Sequence, residues 1–175
     1  MIQSETPAQF NWSSLGDITL GRETIGQEMP VLVYRLLQYT IKSVLEKDFG
    51  LKQACTILRR AGYLAGIAFA NNVLDLSGDF DRFTVHLAQK LKDLKIGYLY
   101  IEKADLSSMT FTLTVSEDLD CSGLPITDET VCDYDEGFLS GIFETYSGKP
   151  FDVKEIDCWA NGDRTCRFVA AAKQL

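Results

Sequence analysis

The sequence lacks the features that several large classes of protein require. No apolar run approaches the ~18 residues of a membrane-spanning helix, so no membrane span is expected. Residues 1–5 have neither a basic start nor an apolar core, so we expect no export signal and a cytoplasmic location. No phosphate-binding or dinucleotide-binding glycine motif is present, and no nucleophile is paired with a base. We therefore expect no enzyme.

Positive charge and histidine are both scarce. The chain has 17 Lys and Arg against 25 Asp and Glu, which gives a formal net charge of −8. The phosphates of nucleic acid would repel such a chain, so no direct nucleic-acid contact is expected. His86 is the single histidine, and a lone histidine in a helical pattern is seldom a site residue. Its role stays open.

The composition that remains is that of an ordinary globular domain. The chain of 175 residues is 46 % hydrophobic and 24 % charged, enough to form one domain with a sizeable core. Residues 1–15 are polar and aperiodic and are expected to form a loose lead-in. Residues 16–172 are expected to form a single domain.

The hydrophobic pattern changes period along the chain. Apolar spacing near 3.6 residues predicts helices first, and alternation of period two predicts strands later. The predicted helices cover 30–47, 51–73, 80–94 and 130–146, and the predicted strands cover 98–101, 109–115, 151–158 and 166–170. Helices precede strands, with one helix between two strand pairs. This order predicts an α+β fold with helices packed on an antiparallel sheet.

Three cysteines and a glutamate near the C-terminus are the most informative group: Cys132, Glu155, Cys158 and Cys166. Thiolate and carboxylate both bind zinc, and four protein donors complete the tetrahedral shell of a structural site. Buried core thiols and a disulfide across a hairpin are the alternatives, although an odd count of five cysteines argues against a disulfide framework. The roles of Cys55 and Cys121 stay open.

Backbone geometry sets a condition on this site. Asn161-Gly162 is a strong hairpin signal, and a three-residue loop over 161–163 would place Cys158 opposite Cys166. Glu155 and Cys158 are three residues apart, so they point to opposite faces of a flat strand. All four donors meet only if the strand bulges or ends between Glu155 and Cys158.

The motifs around these residues resemble the 4-vinyl reductase domain family. They are Val131-Cys132, Gly137-Phe138-Leu139-Ser140-Gly141, Gly148-Lys149-Pro150, Glu155-Ile156-Asp157-Cys158, Gly162-Asp163 and Cys166-Arg167-Phe168. The family includes hydrocarbon-binding proteins and the sensor domains of phenol-responsive transcriptional activators. In the phenol sensors, Cys, Glu, Cys and Cys hold a structural zinc at the separations seen here. The resemblance therefore implies zinc on Cys132, Glu155, Cys158 and Cys166.

The resemblance also implies a fold, a partner and a ligand. It implies an α+β domain distantly like vesicle-tethering subunits, commonly a homodimer, with a pocket for a small apolar or aromatic molecule between helices and sheet. The pocket residues that we expect are Phe69, Phe83, Phe111, Leu113 and Val153. The polar groups that bind phenol in the sensors have no counterpart, since Leu113 and Val153 occupy two of the corresponding positions. An apolar ligand held mainly by shape is expected.

Three functions remain in competition. The leading one is a non-enzymatic small-molecule sensor with a structural zinc that signals through dimerisation. The alternatives are an accessory factor or enzyme in tetrapyrrole vinyl reduction, and an assembly module without ligand. A cavity of roughly 300 Å³ or more would favour the sensor. Gly137 and Gly141 predict tight helix packing, within the chain or at a dimer axis.

Overall fold

The computed structural model describes residues 10–174. The helices within that range are α1 (Ile18–Gly21), α2 (Val31–Phe49), α3 (Leu51–Val73), α4 (Phe80–Asp93) and α5 (Asp133–Ser147). The strands are β1 (Tyr98–Asp105), β2 (Thr110–Ser116), β3 (Phe151–Asp157) and β4 (Cys166–Ala172). Short 3-10 helices cover Trp12–Leu15 and Trp159–Asn161. The predicted α+β fold is confirmed.

The elements form layers on one face of the sheet. The strand order is β1-β2-β4-β3, and all neighbouring strands are antiparallel. Helix α5 packs against β3 and β4, α4 packs against β1, α3 lies on α5, and α2 lies on α3. The face of β2 that bears Phe111, Leu113 and Val115 is buried, as its alternation predicted.

Local signals in the sequence account for most helix ends. Helix α4 begins after Asp79, whose carboxylate accepts a hydrogen bond from the Arg82 amide at 3.0 Å. Helix α5 begins later than the prediction of residue 130, because Cys132 is its N-cap. The segment 16–21, expected as a strand or turn, forms the single helical turn α1. Residues 1–9 of the expected lead-in lie outside the described residues.

Four glycines bring α3 and α5 into close contact. A Cβ atom at Gly62 would lie 2.0 Å from the Tyr134 carbonyl oxygen, and one at Gly137 would lie 2.0 Å from the Arg59 carbonyl oxygen. Gly66 and Gly141 are similarly crowded by the backbone of the opposite helix. The predicted tight packing at Gly137 and Gly141 is therefore confirmed, and it lies within the chain.

Aromatic rings fill the end of the core beside the C-terminal part of α5. The ring centroids of Phe80 and Phe111 are 4.4 Å apart, and those of Phe111 and Phe143 are 5.3 Å apart. Phe83 stacks on Tyr146 at 3.9 Å. Such contacts stabilise the interior beyond their buried area alone.

The connection between β3 and β4 is longer than the predicted three-residue loop. The last paired residues are Asp157 and Arg167, and a 3-10 turn occupies part of the segment between them. The Asn161 side chain accepts a hydrogen bond from the Cys158 amide at 3.0 Å, and the Asp163 amide donates to the Cys158 carbonyl at 3.1 Å. These bonds wind the chain after Cys158, so the prediction of a tight hairpin was wrong.

Helix α2 is the least covered of the long helices. It has no buried residue, and a row of its apolar side chains is exposed, from Leu32 (75 %) and Leu36 (64 %) to Val44 (57 %). Among residues 10–174, no helix combines the length and the apolar character that crossing a membrane requires.

Candidate metal centre and ligand cavity

Four buried cysteine sulfurs converge at the start of α5. Cys132 precedes this helix, Cys158 follows β3, Cys166 begins β4, and Cys121 lies in the loop after β2. Their Sγ atoms all lie within 4.8 Å of one another. The Sγ of Cys132 is 3.8 Å from that of Cys158 and 3.7 Å from that of Cys166. A tetrahedron with Zn–S bonds of ~2.3 Å has S–S edges of roughly 3.8 Å, so these spacings suit a metal.

A bulge in β3 meets the condition that the sequence set. The pairing of β3 with β4 shifts register between Glu155 and Asp157, which leaves Ile156 as the extra residue. Ile156 is 47 % exposed, whereas Glu155 is 2 % and Cys158 is 0 % exposed. Glu155 and Cys158 therefore face the same interior, although they are three residues apart.

The Glu155 carboxylate lies beside the sulfur cluster. Its Oε2 accepts a hydrogen bond from the Cys132 amide at 3.0 Å, and its Oε1 is buried without a partner. Burial, reinforced by the neighbouring Cys158, raises the pKa of Glu155 to about 8. Thus three of the four predicted donors meet at the cluster, with Glu155 at its edge and Cys121 as a fourth thiol.

Cys121 is the residue of this centre that the sequence did not identify. Its amide donates to Asp118 Oδ1 at 3.2 Å, and its carbonyl accepts from the Leu124 amide at 3.0 Å. The loop is held by α2, because Arg35 Nε donates to the Leu119 carbonyl at 2.8 Å. No spacing motif marks Cys121, and its approach to Cys166 depends on this tertiary arrangement.

Further carboxylates lie close to the thiols. Asp118 and Asp135 each place an oxygen within 4.8 Å of the Cys132 sulfur. Burial, then the charge of Asp120, raises the pKa of Asp118 to about 7, and the same two causes raise the pKa of Asp135 well above its ordinary value. A divalent cation at the sulfurs would offset the cost of burying so many acidic groups together. The donor set therefore fits a metal such as zinc.

Glu136 fixes the strand that carries Glu155. This buried carboxylate pairs with Arg59 of α3 and with Lys154 Nζ at 2.7 Å. It also accepts the Glu155 amide at 3.0 Å. Arg59 in turn contacts Asp133 at 2.7 Å, so helices α3 and α5 and strand β3 are joined beside the sulfurs. This ion-pair network positions Glu155 relative to Cys132.

An apolar cavity of about 570 Å³ lies next to the metal centre. It is lined mainly by small and aromatic side chains of α3 and α5, by the Trp12–Leu15 turn and by the segment 94–96: Trp12, Leu15, Ala61, Leu64, Ala65, Ala68, Phe69, Leu94, Ile96, Tyr134 and Phe138. Its polar lining groups are Tyr34, Asp120 and Asp135. The Asp120 carboxylate accepts from Tyr34 at 2.7 Å and from Gln38 at 2.6 Å. The Oδ2 atom of Asp135 is buried without a partner.

The predicted pocket residues fall into two groups. Phe69 lines the cavity, whereas Phe83, Phe111 and Leu113 are packed in the filled core with 0–1 % exposure. Val153 borders a separate, open depression between α3, α5 and β3. Alternation along a strand shows which side chains point inward, but the aromatic stacking at this end fills the interior that those side chains face.

His86 has a local contact instead of a place in either site. Its Nδ1 accepts a hydrogen bond from the Asp75 amide at 3.0 Å, which ties the loop after α3 to α4. Neither the cavity lining nor the sulfur cluster includes it.

Comparison with known proteins relates the C-terminal part of the chain to a family. Residues 111–172 match the family model of the 4-vinyl reductase domain. Two uncharacterized proteins from Methanocaldococcus jannaschii are 25 % and 23 % identical to this chain over 146 residues. The matched region covers 83 % of this chain and 80 % and 78 % of those relatives.

Solved structures share the fold along most of the chain. The phenol-responsive sensory domain of the transcription activator PoxR, solved with phenol, has a TM-score of 0.62 at 17 % identity, covering 83 % of this chain and 77 % of that domain. A vinyl-4-reductase family protein from Methanocaldococcus jannaschii has a TM-score of 0.59 at 16 % identity, covering 90 % and 91 %.

A trafficking protein particle complex subunit 3 from Naegleria fowleri, covalently bound to palmitic acid, has a TM-score of 0.64 at 12 % identity, covering 82 % and 95 %. Identities this low show the fold alone. Together, the matches confirm the predicted resemblance to the 4-vinyl reductase domain family, with residues 111–172 as the matched region.

Proposed function

We propose that this protein is a non-enzymatic sensor that binds a small apolar or aromatic molecule and signals through a dimer. The observation that carries the proposal is the cavity of about 570 Å³ beside the sulfur cluster. Its volume is within the range of small-molecule sites and exceeds the roughly 300 Å³ at which such sites begin. The family match and the fold shared with the phenol-sensing domain of PoxR support this function.

The lining indicates what the ligand looks like. Apolar side chains cover most of the wall, including Phe69 and Phe138, so the body of the ligand is hydrophobic. Because polar side chains are few, shape is the main source of selectivity. The palmitic acid bound to the trafficking subunit suggests aliphatic chains, and the phenol bound to PoxR suggests aromatic rings. Both are therefore suitable probes.

A structural zinc is the second part of the proposal. Cys132, Cys158 and Cys166 are its shared thiolate ligands, since the sequence selects them and their sulfurs lie close together. The fourth donor is Glu155, as the sequence predicts, or Cys121. Four protein ligands leave no open position, so the ion would stabilise the fold and supply no catalysis.

Helix α2 is the surface that we assign to a homodimer. Val33, Leu37, Ile41 and Val44 form a stripe at helical spacing and are 46–62 % exposed. A contiguous apolar face of this kind is typical of an interface. The Leu37→Glu variant should be monomeric in analytical ultracentrifugation. Val85 of α4 is 71 % exposed and lies on a different helix, so Val85→Glu is the matched control and should leave the dimer intact.

Native mass spectrometry combined with organic extraction tests ligand binding most directly. A dimer that carries an extractable small apolar molecule, or that binds added phenol or palmitate, would support the sensor. A protein that retains and binds neither class, and whose cavity accepts bulky substitutions without consequence, would favour the assembly module instead. The exposed face of α2 is the observation that keeps this second function in consideration.

A further inference from the structure

We infer that Cys121 is the fourth ligand of the metal and that Glu155 supports the site from outside the coordination shell. The inference rests on the proposed zinc site and names its ligands. The site would then have four thiolates in place of the three thiolates and one carboxylate implied by the family resemblance.

The positions of the sulfurs carry the argument. Cys121, Cys132, Cys158 and Cys166 form one group with all donor atoms within 4.8 Å, and Glu155 is not a member of that group. The Cys121 and Cys166 sulfurs are 3.0 Å apart. A tetrahedral zinc needs roughly 3.8 Å between sulfurs, so Cys121 would have to move outward by less than about 1 Å. All four side chains are already directed to one point.

Glu155 already has a task that suits an outer position. Its Oε2 accepts the Cys132 amide at 3.0 Å and thereby orients a ligand residue. Carboxylates that bind the groups around a metal ligand commonly fix its orientation without touching the ion. The Lys154 and Arg59 contacts of Glu136 further hold the β3 backbone at this carboxylate.

The loop of Cys121 is secured from two sides, which makes it a suitable source of a ligand. On one side, Tyr39 of α2 donates to the Asp120 carbonyl at 3.0 Å. On the other side, Trp159 Nε1 donates to the Leu124 carbonyl at 3.1 Å. A metal bound to Cys121 would therefore join this loop, one edge of which lines the ligand cavity, to α5 and to both strands of the β3–β4 pair. The ion would thus stabilise one wall of the cavity.

Zinc K-edge X-ray absorption on the unmodified zinc-bound protein tests the ligand set without any variant. Four sulfurs at ~2.3 Å with no light atom in the shell are expected. Three sulfurs with one oxygen at ~2.0–2.2 Å would overturn the inference while leaving the zinc site standing. Absence of bound zinc would instead overturn the proposed metal centre, so the two failures are distinguishable.

Cobalt substitution provides a second readout. The sulfur-to-cobalt charge-transfer absorption scales with the number of thiolates, so Cys121→Ser should lose about one quarter of it. Glu155→Gln should keep the full intensity, and so should Cys55→Ser, which removes a thiol outside the cluster. Full intensity in Cys121→Ser would overturn the inference, as would a replaced oxygen ligand in the spectrum of Glu155→Gln.

Discussion

Helix α5 runs between two ends of the interior that are similarly buried and chemically opposite. At its start, the Cys132 thiol lies among three other thiols and close to the carboxylates of Asp118, Asp135 and Glu155. Toward its end, Phe143 lies among the rings of Phe111 and Phe151. We call the first the thiol–acid end and the second the aromatic end. Burial alone therefore does not distinguish a site from a core.

The difference between the two ends lies in what each needs for stability. The aromatic end is complete with its own side chains, because ring contacts and apolar burial need no further partner. The thiol–acid end has buried polar atoms without partners, among them Glu155 Oε1 and Asp135 Oδ2. Such groups are costly unless an ion or a proton neutralises them. Unmet demand of this kind indicates a binding site.

The largest effect is expected from removing a metal ligand at the thiol–acid end. Metal binding contributes to the free energy of folding, so Cys158→Ser should lower the melting temperature by many degrees or leave the protein insoluble. Thermal melts and zinc content of this variant are compared with those of Cys55→Ser, which keeps the cluster intact. Equal melts and equal zinc in both variants would show that Cys158 is not a ligand.

A large truncation at the aromatic end should cost less and leave the metal in place. Phe111→Ala removes a ring that contacts Phe80, Phe143 and Phe151, and such truncations cost ~3–5 kcal/mol. Chemical denaturation measures the loss, and the native fraction should retain its zinc. Loss of zinc without loss of stability would mean that the two ends are not separate in function.

An enlarged side chain in the filled core should have an intermediate effect. Leu113 is fully buried, so Leu113→Trp overpacks its surroundings and should cost ~1–3 kcal/mol. The sequence placed Leu113 in a ligand pocket, where the same change would be tolerated. A variant as stable as the wild type that has lost ligand binding would restore that original prediction.

The smallest change in stability is expected at the cavity wall. Ala65 of α3 lines the cavity, so Ala65→Phe should fill the space and abolish binding of phenol or palmitate at a cost below ~1 kcal/mol. Binding is measured by calorimetry, and the denaturation midpoint is the control. Unchanged affinity for both probes would place the ligand elsewhere.

The sequence predicted the aromatic end as structure and the thiol–acid end as chemistry, each incompletely. The period-two pattern of β2 identified Phe111 and Leu113 as inward, but it could not show whether the space they face is filled or empty. The spacing of Cys132, Cys158 and Cys166 identified three thiols, because helix and strand ends place them. Cys121 was missed, since its position depends on α2 holding a loop through Arg35 and Tyr39.

The condition that the sequence set on β3 shows the most that such reasoning could give. It required a bulge or a strand end between Glu155 and Cys158, and the register shift next to Glu155 provides it. The hairpin that follows was predicted too short, because the side chain of Asn161 binds the Cys158 amide and starts a 3-10 turn. Side-chain capping of this kind competes with turn propensities that the sequence alone suggests.

Elemental analysis of protein purified without chelator tests the central claim that the thiol–acid end is a metal site. The account predicts about one equivalent of zinc per chain, which four converging thiols in a closed shell would retain. Less than about a third of an equivalent, with all five cysteines titrating as free thiols in the unfolded protein, would contradict it.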